Sequence, residues 1–284
     1  MRFLLTLLLS FGFVAGLSAQ ELYFDGHFRK KSYMNNNHRY VLFDFKIGDG
    51  RVKTKFFAQN AYARYQEWKK NREVLLVTVG AFSDSWEMDA RPVGMCIDEG
   101  TVVSRVADPR MDGIVLMYPT GETTIADLGA RSVYIRTDAG KEVLSPRESS
   151  VDRVRLLDWA EKNRVTLFQT QLLFSSFRPA AKPDLNYGEK RERRFLALCT
   201  KGGSEHQVVV DAPSDLTLNL SAAYAKEILE HDGFRVSFLL NMETGGRNIL
   251  HAYNGAYLQD LQPNASNAEA RIERSTNLLV FYID

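Results

Sequence analysis

Short apolar runs joined by tight turns are the feature that most limits the folds open to this chain. Three pairs of aliphatic or β-branched segments are each separated by a short turn that contains glycine, a pattern typical of β-hairpins. Because a hairpin pairs its two strands antiparallel, most strand pairing is expected to be antiparallel. The predicted pairs are 92–97 with 101–106, 114–117 with 122–125, and 195–200 with 207–211.

A few helices are predicted between these strands. Segment 58–70 carries Ala61, Tyr65 and Trp68 at helical spacing, and segments 149–162 and 220–231 carry similar apolar stripes. Gly233 follows the last of them, as a glycine does beyond a helix end. Further strands are expected at 39–45, 74–79, 167–174 and 278–283. The predicted class is α+β: a mixed, mostly antiparallel sheet with a few packed helices, in a single domain over residues 20–284.

The N-terminus has the pattern of a secretory signal peptide. Arg2 precedes an uncharged apolar run that ends in small residues, so cleavage is expected near Ala19, and residues 1–19 form the signal. An exported protein, periplasmic or extracellular, is therefore predicted. No later segment is apolar enough to span a membrane. The 36 basic side chains nearly balance the 35 acidic ones, which argues against a nucleic-acid partner.

Cysteine and histidine spacing predicts neither a metal site nor a cofactor site. Cys96 and Cys199 both lie in strand-like apolar runs. One disulfide and two buried free thiols both remain open in an exported protein, and the thiols are favoured. The oligomeric state also stays open.

Segment 238–248 predicts a strand that brings one carboxylate to the rim of a sheet. Its apolar run ends at Glu243, and Gly245 and Gly246 follow after one residue. Glycines let a ligand approach the backbone, and successive N–H groups in such a turn can form an anion-binding nest. With Arg247 beside them, these residues indicate a ligand that carries a phosphate. The plainer alternatives are a solvent-facing acid and an ordinary tight turn.

Six short segments, taken in chain order, resemble those of one known family. They are Gly80-Ala81-Phe82, Pro92-Val93-Gly94 with its return strand, Arg194 with the strand that follows (Arg193 being the alternative in register), Leu216-Thr217-Leu218, Asn241 to Arg247, and Arg274 with the closing strand from Asn277. This order is similar to that of the phosphodiester glycosidase domain family over residues 60–284.

The resemblance implies a secreted hydrolase that cleaves a sugar linked through a phosphodiester. Glu243 would act as the acid or base and Thr217 as a hydroxyl partner, because a carboxylate suits chemistry at the sugar carbon. Arginines suit the phosphate, since the guanidinium fork binds it through two hydrogen bonds. The implied substrate-binding residues are Arg194, Arg274, Asn241, Gly245, Gly246, Arg247 and Gly80.

The chain departs from the family pattern at the implied site. Glu243 stands where the family has Asp, Thr244 where it has Gly, Val79 where it has Asn and Arg247 where it has Ser. These differences support an alternative function, that of a catalytically inactive, exported carbohydrate- or phosphate-binding protein on the same fold. An envelope protein that binds partners through its surface is the third hypothesis.

Overall fold

The computed structural model describes residues 19–24, 28–85, 90–130, 133–138, 140–176, 188–244, 248–254, 257–260 and 272–283. Within these ranges the helices are α1 (Ala61–Trp68), α2 (Ser150–Lys162) and α3 (Leu218–His231), with 3-10 turns at Lys69–Asn71 and Leu128–Ala130. The described strands are β1 (Ala19–Phe24), β2 (Phe28–Asn35), β3 (His38–Lys46), β4 (Val52–Ala58), β5 (Glu73–Thr78), β6 (Cys96–Asp98), β7 (Thr101–Ser104), β8 (Gly113–Met117), β9 (Thr123–Asp127), β10 (Val133–Thr137), β11 (Gly140–Leu144), β12 (Thr166–Ser175), β13 (Arg193–Lys201), β14 (Ser204–Ala212), β15 (Arg235–Met242), β16 (Leu250–Asn254), β17 (Tyr257–Asp260) and β18 (Asn277–Ile283).

The strands form two large sheets and one small one. The larger sheet runs β1-β2-β3-β14-β13-β15-β12-β6-β7, and β8, which carries β9, also pairs with β12. The second sheet runs β17-β16-β5-β18-β4, and β10 pairs only with β11 among the described strands. Every strand pairing in the described residues is antiparallel.

The two large sheets pack face to face around an aromatic-rich core. Phe45 of β3 stacks on Phe281 of β18 with ring centroids 4.1 Å apart, and Phe56 of β4 stacks on Phe168 of β12 at 4.5 Å. These four rings are buried completely or almost completely. Buried aromatic pairs contribute stacking energy in addition to the burial of their area, so they hold the sandwich together.

Helices cover the outer faces of the sandwich. The apolar stripe of α3 packs on the larger sheet, and α1 packs on the five-stranded sheet. Helix α2 and the β10–β11 hairpin cover the end formed by β6, β8 and β12. The larger sheet is therefore buried on both faces, and its central strands are apolar at odd and even positions alike.

The mostly antiparallel pairing expected from the sequence is confirmed, including the three hairpins β6–β7, β8–β9 and β13–β14. The expectation of one mixed sheet needs correction, because the described strands form three antiparallel sheets and strands outweigh helices. The physical reason is that two apolar faces on one sheet need two covering layers, and a second sheet supplies one of them.

The helix boundaries differ slightly from the prediction. Helix α1 begins at Ala61 because Gln59 and Asn60 have positive φ angles of 53° and 50°, which are incompatible with a helix. Helix α2 follows Ser149, whose side chain accepts a hydrogen bond from the backbone N–H of Asp152 as an N-cap does.

Two further expectations concern the cysteines and membrane-spanning segments. Cys96 and Cys199 are buried free thiols, the favoured reading of the sequence. No helix in the described ranges combines the length and the apolar character needed to cross a bilayer. The predicted signal segment, apart from Ala19, lies outside the described residues.

Candidate active site

A cleft of about 370 Å³ opens on the α3 side of the larger sheet, beyond the end of β15. Five charged side chains line it together with hydroxyl, amide and apolar groups, and the lining residues come from seven segments of the chain. Its lining residues are Phe82, Ser83, Asp84, Ser85, Val93, Arg110, Met111, Gln171, Arg191, Arg193, Leu218, Asn241, Glu243 and Thr244.

Strand register explains why these side chains meet. Asn241 of β15 lies opposite Gln171 of β12 on one side and Phe195 of β13 on the other. Since side chains two residues apart share a face, Glu243 and Arg193 belong on the same side of the sheet as this row. Phe195 packs on the α3 side, which therefore carries the cleft.

Glu243 is the buried carboxylate of the cleft. The apolar end of β15 carries it to the sheet rim, where only 7% of the residue is exposed. Its Oε2 accepts a hydrogen bond of 2.7 Å from the Ser83 hydroxyl. A hydrogen bond to the charged form of a carboxylate favours that form and fixes its orientation.

A chain of hydrogen bonds continues from Ser83 away from the cleft. The Ser83 and Thr276 hydroxyl oxygens are 2.6 Å apart, and the Asn277 amide donates to Thr276 Oγ1 at 3.2 Å. Because Ser83 uses its proton for Glu243, Thr276 is the donor in the middle of the chain. Each donor thus polarises the next toward the carboxylate.

Asn277 also holds the turn that presents Ser83. Its Oδ1 accepts from the backbone N–H groups of Gly80 and Ala81 at 3.0 and 2.9 Å, and its Nδ2 donates to Ala81 O at 3.0 Å. A Cβ on Gly80 would lie 3.1 Å from the Phe56 ring. Gly80 therefore serves the close packing of this turn and does not line the cleft itself.

Neighbouring arginines at the start of β13 face opposite ways. Arg193 lines the cleft, whereas Arg194 is fully buried on the other side. Arg194 pairs with Asp211 at 2.8 Å and donates to the carbonyl of Ile249 at 2.8 Å. The cleft-lining arginine is therefore the register alternative, Arg193, because adjacent strand residues point to opposite faces.

Arg193 is a buried cation with few partners. The residue is 5% exposed, its Nη2 donates to the Glu189 carbonyl at 3.2 Å, and its buried Nε has no hydrogen-bond partner among the described residues. Burial, followed by repulsion from Arg191, lowers the pKa of Arg193 to about 10. Attraction from Glu189 opposes this shift in pKa, and Arg193 remains charged at neutral pH with no carboxylate in ion-pair contact among the described residues.

Amide side chains organise the remaining walls. Asn241 donates to Gln171 Oε1 at 2.7 Å, which leaves the Gln171 amide N–H groups on a side chain that lines the cleft. Gln169, which is buried, holds the segment carrying Arg110 and Met111 by donating to the carbonyls of Asp108 and Met111 at 2.8 and 2.6 Å. These contacts give the cleft fixed walls.

The structure brings together only part of the predicted site. Asn241 and Glu243 line the cleft, and Thr217 is the residue before Leu218, which does so at the start of α3. Arg274 is exposed and does not appear among the described lining residues. Gly245, Gly246 and Arg247 lie outside the described residues.

Ser83, Gln171, Thr276 and Asn277 were not predicted as site residues. The glycine turn at Gly80 was a usable signal for Ser83, since a strand that ends in such a turn presents the next polar residue at a sheet rim. Within the described ranges, no group of three or more His, Cys, Asp or Glu residues is arranged to hold a metal ion.

The fold and cleft define an antiparallel β-sandwich with a carboxylate-containing cleft at a sheet rim. Two solved structures share this fold over 95% of the chain. A hypothetical protein from Synechocystis matches with a TM-score of 0.54 and 9% identity, and this chain spans 64% of its length.

The second structure is the zebrafish N-acetylglucosamine-1-phosphodiester alpha-N-acetylglucosaminidase catalytic domain, auto-inhibited by pro-peptide. It matches with a TM-score of 0.51 and 12% identity over 82% of its own length. No protein-family model and no curated protein matches the chain. The resemblance expected from the sequence is therefore supported at the level of the fold.

Proposed function

We propose that this protein is a glycosidase-like hydrolase that cleaves a sugar linked through a phosphodiester. The observation that carries the proposal is a buried carboxylate, Glu243, fixed by Ser83 in the same cleft that holds the buried cation Arg193. Such a site offers a proton acceptor for the water that attacks the sugar carbon, and a positive charge for the phosphate. The fold shared with a phosphodiester glycosidase supports the same reaction class.

In the proposed reaction Glu243 acts as a general base. It removes a proton from water as the water oxygen bonds to the anomeric carbon. The bond from that carbon to the phosphate oxygen breaks, and its electron pair stays on the phosphate. The products are a free sugar and a phosphomonoester, and the proton passes from Glu243 to solvent. Arg193 stabilises the charge that develops on the leaving phosphate.

The test uses a panel of hexose-1-phosphodiesters and measures release of reducing sugar. The Glu243→Gln variant keeps the shape of the side chain but cannot accept a proton. It is expected to lose about a hundredfold or more of the turnover, the usual contribution of a general base. In water enriched in ¹⁸O, the label should enter the sugar and not the phosphate.

Arg235→Gln provides the matched control. Arg235 is an exposed residue at the opposite end of β15 and should leave turnover unchanged. Unimpaired turnover in Glu243→Gln would contradict the role given to Glu243. Label found in the phosphate would contradict the proposed bond cleavage.

The second candidate function is that of a carbohydrate- or phosphate-binding protein without catalysis. Thr244 favours it, because its hydroxyl donates to the Glu192 carbonyl at 2.9 Å and so holds this residue beside the start of β13, where the family has glycine. Binding of the diester panel by wild-type protein, with no sugar released over long incubation, would support this candidate. Turnover by pure protein would exclude it.

A further inference from the structure

The three arginines that line the cleft differ in whether a carboxylate pairs with them. Arg110 and Arg191 are exposed, and each contacts a carboxylate close in sequence, Asp108 at 2.6 Å and Glu189 at 2.7 Å respectively. Arg193 is buried and has no carboxylate in ion-pair contact among the described residues. Among the described arginines of the cleft, Arg193 is therefore the one whose charge is available to a ligand.

Such a guanidinium is suited to bind an anion. Burying an unpaired charge is costly, and burial lowers the pKa of Arg193 accordingly. An oxyanion beside the guanidinium would relieve that cost and could accept two parallel hydrogen bonds. Gln171 adds amide N–H donors on the same cleft wall.

Carboxylates limit how much negative charge this site accepts. Glu243 at the end of β15 and Asp84 after β5 both line the cleft. A ligand with one negative charge is balanced by Arg193. Among the described residues of the cleft, a second negative charge would meet only Arg110 and Arg191, which are exposed and already paired with carboxylates. It would be repelled by the buried Glu243 and the exposed Asp84.

We propose that the cleft selects singly charged phosphodiesters and rejects doubly charged phosphomonoesters, with Arg193 as the anion-binding residue. That the natural ligand is a sugar phosphodiester rests on the proposed function, whereas the selection by charge concerns only the binding of anions. One consequence is rapid product release. Cleavage of the diester adds a second charge to the phosphate, so the product binds more weakly than the substrate and leaves.

Two small probes separate charge from shape. Dimethyl phosphate carries one charge at any pH used, while methyl phosphate gains its second charge with a pKa near 6. We expect methyl phosphate to bind at least about tenfold more weakly at pH 8 than at pH 5.5, as its singly charged form disappears. Dimethyl phosphate should bind equally at both values. Binding is measured by ³¹P NMR titration, which also suits millimolar affinities.

Variants assign the effect to residues. Arg193→Gln should abolish binding of dimethyl phosphate, and Arg193→Lys, which keeps the charge but not the fork, should weaken it. Arg235→Gln should bind like wild type. Glu243→Gln and Asp84→Asn, which remove the opposing charges, should each strengthen binding of methyl phosphate at pH 8. This gain of binding cannot arise from a damaged fold.

The proposal is overturned if methyl phosphate binds at pH 8 as tightly as at pH 5.5 or more tightly, or if folded Arg193→Gln and Arg193→Lys bind dimethyl phosphate as wild type does. These results are distinct from failure of the proposed function. A protein without turnover that shows the expected charge selection refutes the hydrolase alone. A protein with turnover that prefers doubly charged ligands refutes the charge selection alone.

Discussion

Replacing Asn277 with alanine tests whether one buried amide holds the turn behind the cleft. Asn277 is completely buried at the start of β18. Its Oδ1 is the acceptor for the backbone N–H groups of Gly80 and Ala81, and its Nδ2 donates to the Ala81 carbonyl. Alanine can make none of these hydrogen bonds, so the turn that presents Ser83 loses its partner although Asn277 does not itself line the cleft.

The magnitude follows from the two N–H groups left without an acceptor. A buried polar group that loses its partner costs about 1–3 kcal/mol, so the two together predict a loss of about 2–6 kcal/mol of unfolding free energy. That is a large part of the total of about 5–15 kcal/mol available to a typical protein. Urea unfolding followed by circular dichroism at two wavelength ranges measures the loss and checks that a single transition is observed.

Asn163→Ala supplies the comparison. Asn163 is exposed at the end of α2 and makes one side-chain hydrogen bond, 2.8 Å to the Trp159 carbonyl. Its replacement should cost about 1 kcal/mol, the usual net value of such a bond. If Asn277→Ala costs no more than Asn163→Ala, the turn is held by other contacts and the reasoning fails.

Two further predictions concern the cleft and the N-terminal hairpin. Ser83→Ala should lower kcat about tenfold to a hundredfold with little change in KM, because Glu243 loses the hydrogen bond that orients it. Ser83→Thr keeps the hydroxyl and should restore most of the lost kcat. Equal kcat in Ser83→Ala and wild type would refute the role given to Ser83. Burial raises the pKa of Asp232, but hydrogen bonds from Lys31 and Tyr33 and other cationic contacts outweigh this and lower it to about 2. Its carboxylate should therefore contribute about 2 kcal/mol of stability above pH 4, and this contribution should be lost as the pH falls toward 2. The urea midpoints of wild type and Asp232→Asn should then converge in acid. A difference between the two midpoints that stays constant with pH would contradict the prediction.

Local sequence patterns were sufficient to predict the hairpins and the position of Glu243 at the rim of a sheet. Glycine turns between apolar runs specify a hairpin without help from the rest of the fold, and an apolar run that ends in an acid places that acid at a sheet rim. The β10–β11 hairpin was missed because polar and apolar residues alike are exposed along it, as at Tyr134, Lys141 and Val143. Its pattern resembles that of a surface loop.

Contacts between distant parts of the chain could not be predicted in this way. Ser83 contacts Glu243 across 160 positions, and Asn277 contacts Ala81 across 196. Each of these residues is an ordinary polar residue in its own segment. Their importance arises from the packing of the five-stranded sheet against the larger one, which brings the ends of β5, β15 and β18 together.

The arginine pair at the start of β13 shows why the face of a strand is hard to infer when both faces are buried. Phe195 and Leu196 are both apolar and both buried, so the alternation that normally separates inside from outside is missing. Only the register with β15, in which Arg194 lies opposite Met242 and Phe195 opposite Asn241, assigns Arg194 to the interior of the sandwich and Arg193 to the cleft. There Arg194 links Asp211 of the larger sheet to the Ile249 carbonyl just before β16 of the other sheet. The two neighbours thus have complementary tasks, because the contacts that fix Arg194 between the sheets also fix the strand that presents Arg193 to a ligand.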